Sequence, residues 1–128
     1  MSAIRSLWFI AFLLSLTSCF DLVTWETEIY GPYYVSNDPV ASYKTLYYRG
    51  KDGLDAERFR DVSQVGYKSG YIFIKSSNRF YWFAVKDDSF TDLGNPSIKN
   101  LISKPLTQAE FEQLLASLRV GKIDFQYQ

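Results

Sequence analysis

The stretch Tyr71-Ile72-Phe73-Ile74-Lys75-Ser76-Ser77-Asn78-Arg79-Phe80-Tyr81-Trp82-Phe83-Ala84-Val85-Lys86 decides the fold. Both ends are runs of β-branched and aromatic residues, which fit a pleated surface, and Ser-Ser-Asn-Arg between them is turn chemistry. Residues 62–67, Val-Ser-Gln-Val-Gly-Tyr, supply a further strand just upstream. Lys68-Ser69-Gly70 then supply a turn in which Gly70 takes the positive φ that a three-residue hairpin loop needs at its end. The whole predicts a three-stranded antiparallel meander. In its last strand Phe80, Trp82 and Ala84 point one way and Tyr81, Phe83 and Val85 the other, so both faces are apolar. Such a strand is covered on both sides.

One cover is legible downstream. Thr107-Gln108-Ala109-Glu110 is a capping box, in which the Thr107 side chain accepts from the Glu110 amide and the Glu110 side chain reaches back to the Thr107 amide. Leu106 and Phe111 occupy the positions of a hydrophobic staple, and Pro105 lies just outside. Phe111, Leu114, Leu115 and Leu118 recur at helical spacing until Gly121 offers a stop. The apolar stripe packs on one sheet face. The other face is left to sheet curvature, to the aromatic first strands, or to a ligand.

Upstream, residues 23–30 alternate with period two, placing Val23, Trp25, Thr27 and Ile29 on one face and Glu26 and Glu28 on the other. The two glutamates invite a paired-carboxylate reading, but a solvated strand face is the ordinary one. Gly31-Pro32 breaks the run; residues 33–35 and 43–49 are the next strands, with the turn signal Ser36-Asn37-Asp38-Pro39 between them. Residues 49–61 hold eight charges, four of each sign, and read as a solvated, partly mobile connection pinned by Phe59. Asp52, Asp55 and Glu57 lack the regular alternation of a calcium loop. Residues 87–96 carry no assignable chemistry, and residues 122–127 add a final edge strand. The expected fold is α+β: an antiparallel sheet of about five to six strands, a meander that is curled or barrel-like, packed against one C-terminal α-helix.

Composition narrows the function. The 128 residues are room for one ordinary domain. Fourteen Lys plus Arg balance fourteen Asp plus Glu, so no long-range field draws nucleic acid, and none is expected as a partner. The chain has no histidine, which removes the commonest general base and transition-metal ligand. Its single cysteine cannot form an internal disulfide. Stability must therefore come from burying apolar surface, for which 18% Phe, Trp and Tyr is ample material.

That cysteine ends a graded segment. One charge, Arg5, precedes the apolar run of residues 7–16, and Thr17, Ser18 and Cys19 follow, the layout of a secretory signal. A spanning helix needs about 20 apolar residues, and extending this run would enclose Ser, Thr, Cys and Asp21. Cleavage after Ser18 by the ordinary signal rule would leave bulky Leu16 at minus three. Leu16-Thr17-Ser18-Cys19 instead resembles the lipobox of bacterial lipoproteins. That resemblance implies diacylglycerol on the Cys19 sulfur and cleavage before Cys19. Residues 1–18 are then a lipoprotein signal peptide, and residues 19–128 one α+β domain with a short lipid tether. Acyl chains contribute about 0.8 kcal/mol per buried methylene, so two or three hold a protein on a bilayer almost permanently. Phe20 rather than Asp follows the cysteine, which favours the outer over the inner membrane in a two-membrane host.

The succession YKTLYYR, the charged insert, VSQVGYKSGYIFIKSS, RFYWFAVKDD and KPLTQAEFEQL resembles small bacterial lipoproteins known as a domain of unknown function. In them a strand ending in paired tyrosines precedes a VGY-turn-YIIxK hairpin, a YYxI strand and a gPLTxxEF helix start. The matching residues are Val65-Gly66-Tyr67, Tyr71-Ile72-Phe73-Ile74-Lys75, and Pro105-Leu106-Thr107 with Glu110-Phe111, within a likeness covering roughly residues 33–118. Lys104 departs from the pattern's glycine, and the aromatic run of residues 80–83 is longer. The resemblance implies a fold and a location and adds no mechanism.

No catalytic constellation stands out, so no enzymatic activity and no cofactor or metal is expected. The favoured function is a membrane-tethered binding or interaction module, with Tyr47, Tyr48, Tyr81 and Trp82 as candidate contacts to an envelope protein or glycan. The ordinary alternative for each is core. A second reading is an envelope immunity or inhibitor protein that neutralises a toxin or lytic enzyme.

Overall fold

The computed structural model of the chain describes residues 25–37, 40–51, 53–89, 98 and 100–128. Cys19 and the segment before it lie outside them, as do Val23 and residues 90–97. Among the described residues, β1 (Glu26–Tyr30), β2 (Tyr33–Asn37), β3 (Lys44–Arg49) and β4 (Asp55–Arg60) form one antiparallel sheet in that order. The expected meander is the second sheet: β5 (Gln64–Lys68), β6 (Tyr71–Ser76) and β7 (Arg79–Ala84). The helix α1 spans Gln108–Leu118. Among the described residues the fold is thus α+β, with one α-helix on antiparallel strands, but seven strands in two unclosed sheets replace the single curled sheet of five or six.

The extra strand is β4, which lies within the charged stretch expected to be a connection. Charge along the chain concealed its pattern, because a register shift between Leu46 and Tyr47 leaves Arg58 as an extra, bulged residue between Phe59 and Glu57. The bulge lets both Arg58 and Phe59 turn toward the core side of the sheet, where regular alternation would send only one.

Both faces of β7 are covered as its composition requires. Ile72, Ile74 and Phe83 meet Ile29, Tyr33, Val35, Leu46 and Tyr48 in a layer between the sheets, so the first strands form the second cover. On the other side, Phe73, Phe80 and Trp82 pack with Phe111, Leu114, Leu115 and Leu118 of the helix. Phe111 stacks on Phe80 with centroids 4.2 Å apart and meets Phe73 edge-on at 5.8 Å. The capping box closes as expected: Glu110 N–H donates to Thr107 Oγ1 at 3.2 Å, and Thr107 N–H to Glu110 Oε1 at 3.0 Å. The helix stops earlier than Gly121, because Arg119 already takes the left-handed conformation.

The segments flanking the helix close the edges of the second sheet. Leu106 exchanges two backbone hydrogen bonds with Phe80 of β7, at 2.8 and 2.9 Å, and Tyr127 two with Val65 of β5, at 2.9 and 3.0 Å. Residues 122–127 therefore make an isolated bridge in place of the expected edge strand. Gly66 admits that segment: a Cβ there would lie 3.0 Å from Ile123 Cγ2 and 3.2 Å from Phe125 Cα.

The β5–β6 turn is tighter than expected. Lys68 pairs with Tyr71, leaving Ser69 and Gly70, both at positive φ, as a two-residue loop. Trp25 also departs from expectation. β1 begins only at Glu26, so the pleat does not hold Trp25 inward, and it is 81% exposed. Glu26 and Glu28 are solvated, as the ordinary reading has them.

Candidate functional site

The ends of β1 and β5 build an aromatic cleft at the seam between the sheets. In β1 a register shift between Glu28 and Tyr30 leaves Ile29 as the bulged residue, buried in the inter-sheet core, and sets Tyr30 opposite Tyr33. Tyr30 reaches across to Tyr67, and their rings lie parallel with centroids 3.7 Å apart. Tyr67 is anchored by its contacts with the core, whereas Tyr30 stays 44% exposed. The β5–β6 turn forms the floor. Gly70 O accepts from Val85 N–H at 2.9 Å, tying the turn to the 3-10 helix Val85–Asp87 that follows β7. Tyr71 and Lys86 complete an open cavity of about 420 Å³.

Burial, and then the hydrogen bond shared with Tyr30, raises the Tyr67 hydroxyl above its ordinary value. The raised value favours the protonated hydroxyl, which can both donate and accept a hydrogen bond. The cleft thus offers flat apolar ring surface, tyrosine and serine hydroxyls and, at the exposed Lys86, a basic side chain. That combination suits a ligand with a flat apolar face and polar or anionic substituents.

A second polar centre is sealed inside. Arg58, 1% exposed, forks onto Asp88, Nε to Oδ2 at 2.7 Å and Nη2 to Oδ1 at 3.0 Å, and Tyr33 OH donates to Oδ2 at 2.7 Å. The Arg58 guanidinium also lies 5.4 Å from the Tyr48 ring centroid. Burial first, then the bond to Asp88, raises the Tyr33 hydroxyl well above its ordinary range. With a closed hydrogen-bond set and no access, this centre braces the fold. Its acid, Asp88, lies in the loop that carried no assignable chemistry in sequence.

The four aromatic residues proposed as contacts do not converge. Tyr47 stacks on Tyr34 on the outer face of the first sheet, centroids 5.5 Å apart. Tyr48 is in the core, edge-on to Tyr33. Tyr81 packs between the sheets against Phe59 at 4.6 Å, and Trp82 lies on the helix side beside Tyr71 at 5.7 Å. Cys19 lies outside the described residues. The sequence reading missed Tyr30, Tyr67 and Lys86; the turn signals after Tyr30 and Tyr67 put both rings at strand ends, but nothing local shows that those ends meet.

Among the described residues, no group of three His, Cys, Asp or Glu side chains forms a metal-ligand set, and no helix is long and apolar enough to cross a membrane. No family model matches the chain, and neither a curated protein nor a solved structure matches it.

Proposed function

We propose that this protein is a bacterial lipoprotein, anchored through Cys19 and favouring the outer membrane, whose domain is a non-catalytic binding module for an envelope glycan or peptide. The observation that carries the binding part is the parallel Tyr30–Tyr67 pair at the wall of an open cleft, with Lys86 at its rim. Tyr30, held flat by the stack on Tyr67 and still 44% exposed, provides a stacking platform for a sugar ring or a planar side chain, and the basic Lys86 side chain complements a carboxylate. The tether rests on the charged, apolar and small-residue series that ends at Cys19, together with the lipoprotein resemblance of residues 33–118.

The test is calorimetric titration of the full-length protein in detergent with solubilised peptidoglycan fragments and with envelope peptides, comparing wild type with Tyr30→Ala. A stacking contribution of about 0.5–1.5 kcal/mol predicts an affinity loss of up to roughly tenfold in the variant, with Lys86→Ala weakening acidic ligands selectively. No binding by the wild type, or equal binding by Tyr30→Ala, would contradict the assignment of the cleft. Tight capture of one lytic enzyme or toxin by a surface away from Tyr30 would favour the immunity reading instead.

A further inference from the structure

The end of the first sheet opposite the cleft carries two exposed apolar side chains. Glu26 pairs with Ser36, which pairs with Thr45, so Trp25, the end of β2 and the start of β3 share one end of the sheet. Val40 belongs to the β2–β3 connection at that same end. Trp25 is 81% exposed and Val40 95%. Single exposed apolar residues need no explanation, and Leu54 at the other end is one. Trp25 and Val40 differ because their end is also where the chain leaves toward Cys19. Trp25 stands six positions after Cys19, and a fully extended chain of that length spans at most about 22 Å.

We infer that this end of the sheet rests on the bilayer holding the Cys19 lipid, with the Trp25 indole at the headgroup level and Val40 beside it. The inference rests on the lipoprotein reading. Tryptophan suits that depth because its ring is apolar while its N–H still finds a polar partner. Of the charges at this end, Glu26 is paired with Arg49 Nη2 at 2.6 Å, and the basic Lys44 side chain, which donates to Asn37 Oδ1, complements anionic headgroups. Tyr30 lies at the far end of β1, about 13 Å further along at about 3.3 Å per residue. Docking through Trp25 thus turns the Tyr30–Tyr67 cleft away from the membrane, toward ligands in the envelope space.

The test uses the full-length protein with Trp82→Phe, purified from bacterial membranes and reconstituted into phosphatidylethanolamine–phosphatidylglycerol vesicles with or without brominated acyl chains. Mass spectrometry of the same sample reads acylation of Cys19. Processing before Cys19 removes Trp8, leaving Trp25 as the sole tryptophan. The expected result is acylated Cys19 and Trp25 emission that is blue-shifted and loses intensity in brominated vesicles. In Trp25→Phe, the remaining Trp82 signal is unchanged by bromine. Acylated protein whose Trp25 emission is the same in both vesicles overturns the bilayer contact and leaves the lipoprotein reading standing, as does Trp25 shielded by a second copy of the chain. An unacylated Cys19 overturns both.

Discussion

Arg58 grips Asp88 through two nitrogens, at 2.7 and 3.0 Å, with both side chains wholly screened from water. The pair joins the bulge of β4 to the segment just after β7, clasping the two sheets together. Desolvating two charges is costly, but removing one partner costs more because it strands the other. Arg58→Ala or Asp88→Ala is therefore expected to lower stability by about 3–5 kcal/mol in urea denaturation. Replacing both by apolar residues of similar volume should cost much less, and Tyr33→Phe about 1.5–3 kcal/mol for the lost bond to a charged acceptor.

The helix is held chiefly by one ring. Phe111→Ala removes the stack on Phe80 and the edge contact with Phe73, at an expected cost of about 3–5 kcal/mol. Thr107→Ala opens the capping box and costs about 1 kcal/mol. Equal losses from the two in thermal denaturation would contradict this ranking.

Gly66 is required for space. A methyl there meets Ile123 at 3.0 Å and the Phe125 backbone at 3.2 Å, so Gly66→Ala forces the C-terminal segment outward. Overpacking of this kind costs about 1–3 kcal/mol, and hydrogen exchange at Tyr127 N–H, which donates to Val65 O, should rise with it. Unaltered exchange at Tyr127 would show that the segment yields freely.

High pH should unfold the protein through its tyrosines. Burial, ahead of the bond to Asp88, raises Tyr33, and burial, ahead of the bond to Asp55, raises Tyr34; burial also raises Tyr48. In the unfolded chain these groups ionise near their ordinary value of about 10. Above that pH the unfolded state binds fewer protons than the folded one, so the stability they contribute, fully present below it, falls as pH rises toward the folded values. Near-ultraviolet titration should show one tyrosinate step near the ordinary value and a second that coincides with loss of circular dichroism. A single smooth step with structure retained would contradict it.

What the sequence made legible were features carried by neighbours along the chain. The alternation in residues 71–86 set the two-faced meander, and Thr107 with Glu110 set the helix start, because each depends on local hydrogen bonding or period. β4 escaped because a bulge breaks its period and because Arg58, a charge, is a core residue only by virtue of Asp88, 30 positions away. The cleft escaped for the same kind of reason: Tyr30 and Tyr67 meet through the stacking of two sheets, which no local pattern encodes. Tyr48 and Tyr81 are aromatic for packing between those sheets, so aromatic content alone did not separate core from surface.

Metabolic labelling with a clickable fatty-acid analogue tests the tethered-module account most directly. The wild-type chain should take up label and partition with membranes, and Cys19→Ala should lose the label. An unlabelled wild-type protein, or equal labelling of Cys19→Ala, would contradict the account.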